Sequence, residues 1–148
     1  MGMTSPFPVN FAVIGTVFFL LTGCLSEPAK TPITVEPNAN QNSALSVDFV
    51  SVDSPELADH ILNNALGGWF ENKAAYMTQY GDRLAVHHYQ FVPGQWVPEG
   101  AEWPSLEEAT PIYLIAGHFV AGPRVLKVDP ARLAGVTIAT DDIVLNFK

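Results

Sequence analysis

The sequence predicts a small single-domain α+β protein with a largely antiparallel sheet and one main helix, set behind an apolar leader and a proline-bearing polar stretch. Three observations point there. Leu57, Ala58, Ile61, Leu62, Ala65 and Leu66 recur on one stripe at helical spacing. Several short runs rich in β-branched and aromatic residues follow, each closed by Gly, Pro or Asp residues. The helix comes first and hairpins follow, which is the order of an α+β domain and not of a doubly wound parallel sheet.

Taken in order, the elements rest on local chemistry. Residues 46–52 read as a strand with Val47 and Phe49 on one face. Asp53-Ser54-Pro55-Glu56 opens the helix, with Asp or Ser as the cap and Pro55 in the first turn. Gly67-Gly68 ends it. Residues 75–80 and 84–92 read as strands around a Gly81-Asp82 turn, although Phe70, Ala74 and Met77 also fit a helix running on from Trp69. That hairpin register sets His87 opposite Tyr76 and His88 opposite Ala75. Residues 92–110 read as a long connection with Pro93, Pro98 and Pro104, in which 105–109 make one helical turn. Residues 112–120 are apolar on both faces, as in a central strand. Ala121-Gly122-Pro123 leads into a strand at 124–128, Asp129-Pro130 starts a helical turn, and 136–140 and 143–147 form a last hairpin around Asp141-Asp142.

The chain divides into three parts: 1–23, 24–44 and 45–148. In 25–44, Pro28, Pro32 and Pro37 precede the polar run Asn38 to Ser43, which reads as a disordered tether. Such a tether would span roughly 25 Å as a coil and about 60 Å if extended. The final 104 residues suffice for one modest core.

Seven basic and fifteen acidic side chains give a net charge of −8. That balance excludes nucleic acid as a partner, because phosphate binding rests on Lys and Arg displacing counterions. It also argues against a polybasic hold on anionic lipid as the means of membrane attachment. The chain has one cysteine, Cys24, so no internal disulfide forms.

Phe11 to Leu21 is an uncharged apolar run of 11 residues, shorter than the ~20 a membrane-spanning helix needs. It is followed by Thr22, Gly23 and Cys24. An apolar run closed by small residues is the form of a secretory signal peptide. Leu21-Thr22-Gly23-Cys24 resembles the lipobox of bacterial lipoprotein precursors position by position. The resemblance covers about the first 24 residues. It implies a diacylglyceryl group on the Cys24 sulfur, cleavage between Gly23 and Cys24, and a lipid-anchored envelope protein. Two acyl chains hold a protein stably on a membrane where one does not. Leu25 after the cysteine implies the outer membrane, facing the periplasm, if the cell is Gram-negative. No family is recognised for the domain itself.

For that domain two functions stand side by side. Trp96 and Trp103, eight residues of Pro, Gly and Glu-bearing chain from end to end, either form an exposed aromatic contact for an envelope protein or small-molecule ligand, or fold back onto the core. A non-catalytic binding domain is the first expectation. The alternative is a small metal-dependent or hydrolytic enzyme. His87 and His88 are adjacent on a strand and so point to opposite faces; either one, with His118 and a carboxylate, would make a metal or catalytic site. No nucleophile elbow, phosphate loop or calcium-loop spacing is present, and no cofactor is expected.

Overall fold

The computed structural model describes residues 1–2, 29–65, 68–104, 106, 110–118 and 122–148. Eight strands make two four-stranded sheets: β1 (Lys30–Val35), β2 (Leu45–Val52), β3 (Leu84–Phe91), β4 (Trp96–Glu102), β5 (Thr110–His118), β6 (Gly122–Val128), β7 (Leu133–Ile138) and β8 (Ile143–Phe147). One sheet runs β4-β1-β7-β8 and the other β3-β2-β5-β6. They face each other across a core that takes side chains from every strand, including Ile33, Val47, Phe49, Phe91, Leu114, Val136 and Ile143. All pairings are antiparallel except β1 with β7. The fold is α+β, as the sequence predicts.

Two helices, α1 (Pro55–Ala65) and α2 (Trp69–Tyr80), cover the outer face of the β2 sheet and close a second core. Ser54 caps α1: its Oγ accepts from the Leu57 N–H at 3.3 Å. Leu57, Ala58 and Ile61 of the expected stripe are buried against Val50, Val52, Tyr113 and Ile115. Burial of each large aliphatic side chain contributes about 1.5–3 kcal/mol. Arg83, just before β3, makes a two-pronged contact with Asp53 at 2.7 and 3.1 Å, tying the chain ahead of α1 to the start of β3. Hydrogen bonding from Arg83 is the largest influence holding the Asp53 carboxyl below its usual range.

Three expectations are corrected. First, residues 75–80 are helical, and Gly81 ends α2 instead of turning a hairpin: its N–H donates to the Met77 carbonyl at a φ of 51°. The helical repeat of Trp69, Tyr76 and Tyr80 onto the sheet outweighs the short alternation of the same residues. The expected register of His87 and His88 goes with it, since they lie opposite Phe49 and Asp48 of β2.

Second, β4 occupies the expected long connection. Pro98 and Gly100 are tolerated because β4 is an edge strand whose pairing with β1 shifts register. At Gly100 the φ is +83°, and a Cβ there would stand 2.8 Å from the Thr31 backbone. Third, the expected tether at 24–44 is not all tether: Lys30–Val35 is an interior strand of its sheet, with Thr31, Ile33 and Val35 buried. Pro32 hides this strand in the sequence. It sits at the register shift, and the parallel pairing with β7 begins at Ile33, so no regular ladder position needs its missing N–H.

The expected leader, Gly23 and Cys24, the helix end at Gly67 and most of the turn at 105–109 lie outside the described residues.

Candidate functional site

The two tryptophans singled out by the sequence part company. Trp103 follows β4 into the core, 1% exposed, and stacks on Phe49 with ring centroids 4.2 Å apart. Its indole N–H donates to the buried Thr31 hydroxyl at 2.8 Å. Each polar atom is satisfied, so the ring ties the chain beyond β4 to both β1 and β2. Trp96, at the start of β4, is 69% exposed. The alternation of β1 leaves Thr34 exposed, and Thr34 pairs with Trp96 on one side and Thr137 on the other. Thr137 in turn pairs with the exposed Val144. The outer face of this sheet thus carries a row of Trp96, Thr34, Thr137 and Val144, and no described element lies over it.

Trp96 also borders the connection between β1 and β2. The Val35 N–H donates to the Gln95 carbonyl, and the Gly94 N–H to the Glu36 carbonyl. In that connection Asn40, Gln41 and Asn42 stand at φ 47°, 54° and 62°. Three successive non-glycine residues in the left-handed region cost roughly 1–2 kcal/mol each. The buried Asn40 offsets part of this by donating through Nδ2 to the Ala44 carbonyl at 3.1 Å.

The histidines also diverge. His87 Nδ1 lies 3.1 Å from the Glu102 carbonyl. A carbonyl only accepts, so the proton sits on Nδ1 and the ring bridges the two sheet edges. His88 faces the other way, under α2, with its Nδ1 against Oδ1 of Asp48. The side chain of His118 lies outside the described residues, and its backbone ends β5 opposite Gly122. Among the described residues no group of three or more His, Cys, Asp or Glu is arranged to hold a metal ion.

Asp48 is what the sequence reading missed. It is fully buried on the helix-facing side of β2. The Trp69 indole N–H donates to Oδ2 at 2.7 Å, Lys73 Nζ stands 3.0 and 3.2 Å from the two oxygens, and His88 completes the set. The carboxylate is saturated by partners from α2 and β3. An Asp holding a histidine through Nδ1 is half of a general-base arrangement. Here the remaining lone pairs of the carboxylate go to Trp69 and Lys73, so the cluster clamps the first turns of α2 onto the sheet. The signal available in the sequence was a lone acid inside an apolar strand. Alternation with Val47 and Phe49 puts it on the opposite face of the strand, and that face is dry because α2 lies over it.

The architecture defines a class: an eight-stranded two-sheet sandwich with a helical pair on one sheet. Solved structures share it. The T6SS lipoprotein TssJ1 from Pseudomonas aeruginosa superposes with a TM-score of 0.57 at 16% identity, over 82% of this chain and 97% of its own. Lip of Serratia marcescens, a membrane bound component of the Type VI Secretion System, does so with a TM-score of 0.55 at 14% identity, over 82% of this chain and 98% of its own. No family model matches the sequence, and no curated protein matches it. At these identities the likeness is one of fold.

Proposed function

We propose that this chain is a lipid-anchored envelope protein whose sandwich is a non-catalytic structural component of a secretion assembly of the type VI kind. The observation that carries the reading is the extent of the likeness. Two lipoprotein or membrane-bound components of that system are covered almost end to end, at 97% and 98% of their own chains. The lipobox-like Leu21-Thr22-Gly23-Cys24 supports it as well. The contact for an envelope partner is the exposed Trp96 beside the left-handed turn at 40–42. Backbone strain of this kind is retained where the surroundings hold it in place, and it recurs at binding surfaces.

Cys24→Ser is expected to leave the protein unlipidated, out of the membrane fraction, and to abolish type VI-dependent export of effectors from the native cell. Trp96→Ala is expected to keep membrane attachment and fold while lowering that export. Undiminished export in a strain lacking the whole chain would overturn the reading.

A further inference from the structure

We propose that the end of the sandwich where β1 begins is a membrane-facing surface that docks on anionic phospholipid headgroups. The proposal rests on lipidation of Cys24. It concerns how the domain is held against the bilayer, not whether it is attached.

The length of chain sets the geometry. β1 begins at Lys30, and the Trp103 N–H donates to the Ala29 carbonyl, so the sandwich already holds the chain at Ala29. Only residues 25–28 separate it from Cys24. Five residue steps reach at most about 18 Å even when fully extended. A domain tied that closely to two acyl chains cannot stand off freely, and the surface nearest the tie meets the headgroups.

Strand register identifies that surface. β1 runs parallel to β7, with Ile33 beside Val136, so the first residues of both strands lie at one end of the sheet. Leu133 of β7 pairs with Phe147 of β8, and the Lys148 N–H donates to the Arg132 carbonyl. Glu102, at the end of β4, pairs with Lys30. Lys30, Arg132, Phe147 and Lys148 therefore share the end to which the lipid is tied.

Their chemistry suits a lipid interface. Phe147 is 58% exposed, a large apolar ring more than half in water. Arg132 and Lys148 are exposed, and Lys148 Nζ reaches the Ala131 carbonyl at 3.2 Å. Lys30 pairs with Glu102 at 3.1 Å, and Asp129 caps the short helical turn before β7. At this end of the β1 sheet Lys30, Arg132 and Lys148 stand with Glu102 and Asp129, leaving four basic and thirteen acidic side chains, Glu27 of the segment back to Cys24 among them, in a chain of charge −8. The overall acidity argues against cationic attachment as the sole hold, but not against a local orienting contact once acyl chains supply the affinity. Basic residues near an anionic surface and an apolar ring at headgroup depth then fix which face turns down.

The test uses the full lipidated chain in vesicles. With Cys24 consumed by lipid, one introduced cysteine takes a fluorophore: Ala131→Cys at the proposed face, or Asp141→Cys in the turn at the other end of β7 and β8. Flotation measures attachment, and quenching by headgroup spin-labelled lipid measures proximity. Label at 131 is expected to be quenched, and label at 141 to be spared, in vesicles containing phosphatidylglycerol. Arg132→Glu with Lys148→Glu, or a change to phosphatidylcholine vesicles, is expected to lower quenching at 131 by about fivefold with flotation unchanged. Phe147→Ala lowers it without touching charge. Equal quenching at both positions, or quenching at 131 indifferent to the charge reversal, overturns the proposal while leaving the anchor intact. Failure of the wild-type chain to float overturns the lipid anchor and the proposal with it.

Discussion

β1 and β2 are both interior strands, yet they meet water differently. In β1 exposure alternates residue by residue, Lys30, Pro32 and Thr34 out and Thr31, Ile33 and Val35 in. In β2 every residue but Ser46 is buried. β1 therefore has one dry face and one wet face, whereas β2 is dry on both, with the second core of Val50, Val52, Tyr113 and Ile115 under α1 and α2. No described element lies over the outer face of the β1 sheet, whereas the covered face holds the buried Asp48, whose partners come from α2 and β3. A surface available for binding and a surface that fixes the fold are thus divided between two sheets of one sandwich.

That contrast can be broken at several points. The largest expected effect lies between the sheets. Trp103→Ala removes the stack on Phe49 and the bond to Thr31, and should cost about 3–5 kcal/mol in denaturant unfolding. Next comes the covered face: Asp48→Ala leaves the Trp69 N–H and the Lys73 ammonium without their acceptor, and should cost about 2–3 kcal/mol. Hydrogen exchange would rise first in α2, and equal loosening of α2 and the β1 sheet would refute a local clamp.

A smaller effect also belongs to the covered face. Burial raises the Tyr113 hydroxyl above its ordinary value of 10.0, with the nearby Asp59 adding to the rise. The folded state then keeps a proton that the unfolded chain releases. Stability from this group is complete below pH about 10 and falls as pH rises towards the folded value. Melting temperature against pH should drop less steeply on the alkaline side for Tyr113→Phe than for the wild type. Smallest of all is the bare face. Trp96→Ala should change stability by no more than about 0.5 kcal/mol, which urea titration can verify alongside the Trp103 variant.

Much of the covered sheet was legible. Ser54 and Pro55 announce α1, its apolar stripe is the buried one, and the two-sided apolar run before His118 is the interior strand β5. The bare sheet was largely hidden. β1 carries Pro32, and β4 carries Pro98 and Gly100, residues that locally argue against strands. They are allowed by a register shift and a free edge, which exist only once the partner strand is in place. For the same reason the stretch before Ala44 read as tether, and the true reach from Cys24 came out too long.

At the candidate sites the division is similar. Adjacent positions on one strand already sent His87 and His88 to opposite faces, because side-chain direction in a strand alternates whatever it packs against. Composition alone could not assign one tryptophan to the core and the other to water, since both stand among the same Pro, Gly and Glu residues. Nor could it bury Asp48, whose surroundings come from helix and strand residues distant in the chain. The sequence by itself determined the α+β class, the first helix, the opposed histidines and the lipobox-like run ending at Cys24, all of which depend on near neighbours. Which faces are dry, which tryptophan is exposed and at which end of the sandwich Ala29 lies were decided by the pairing of strands far apart in the chain.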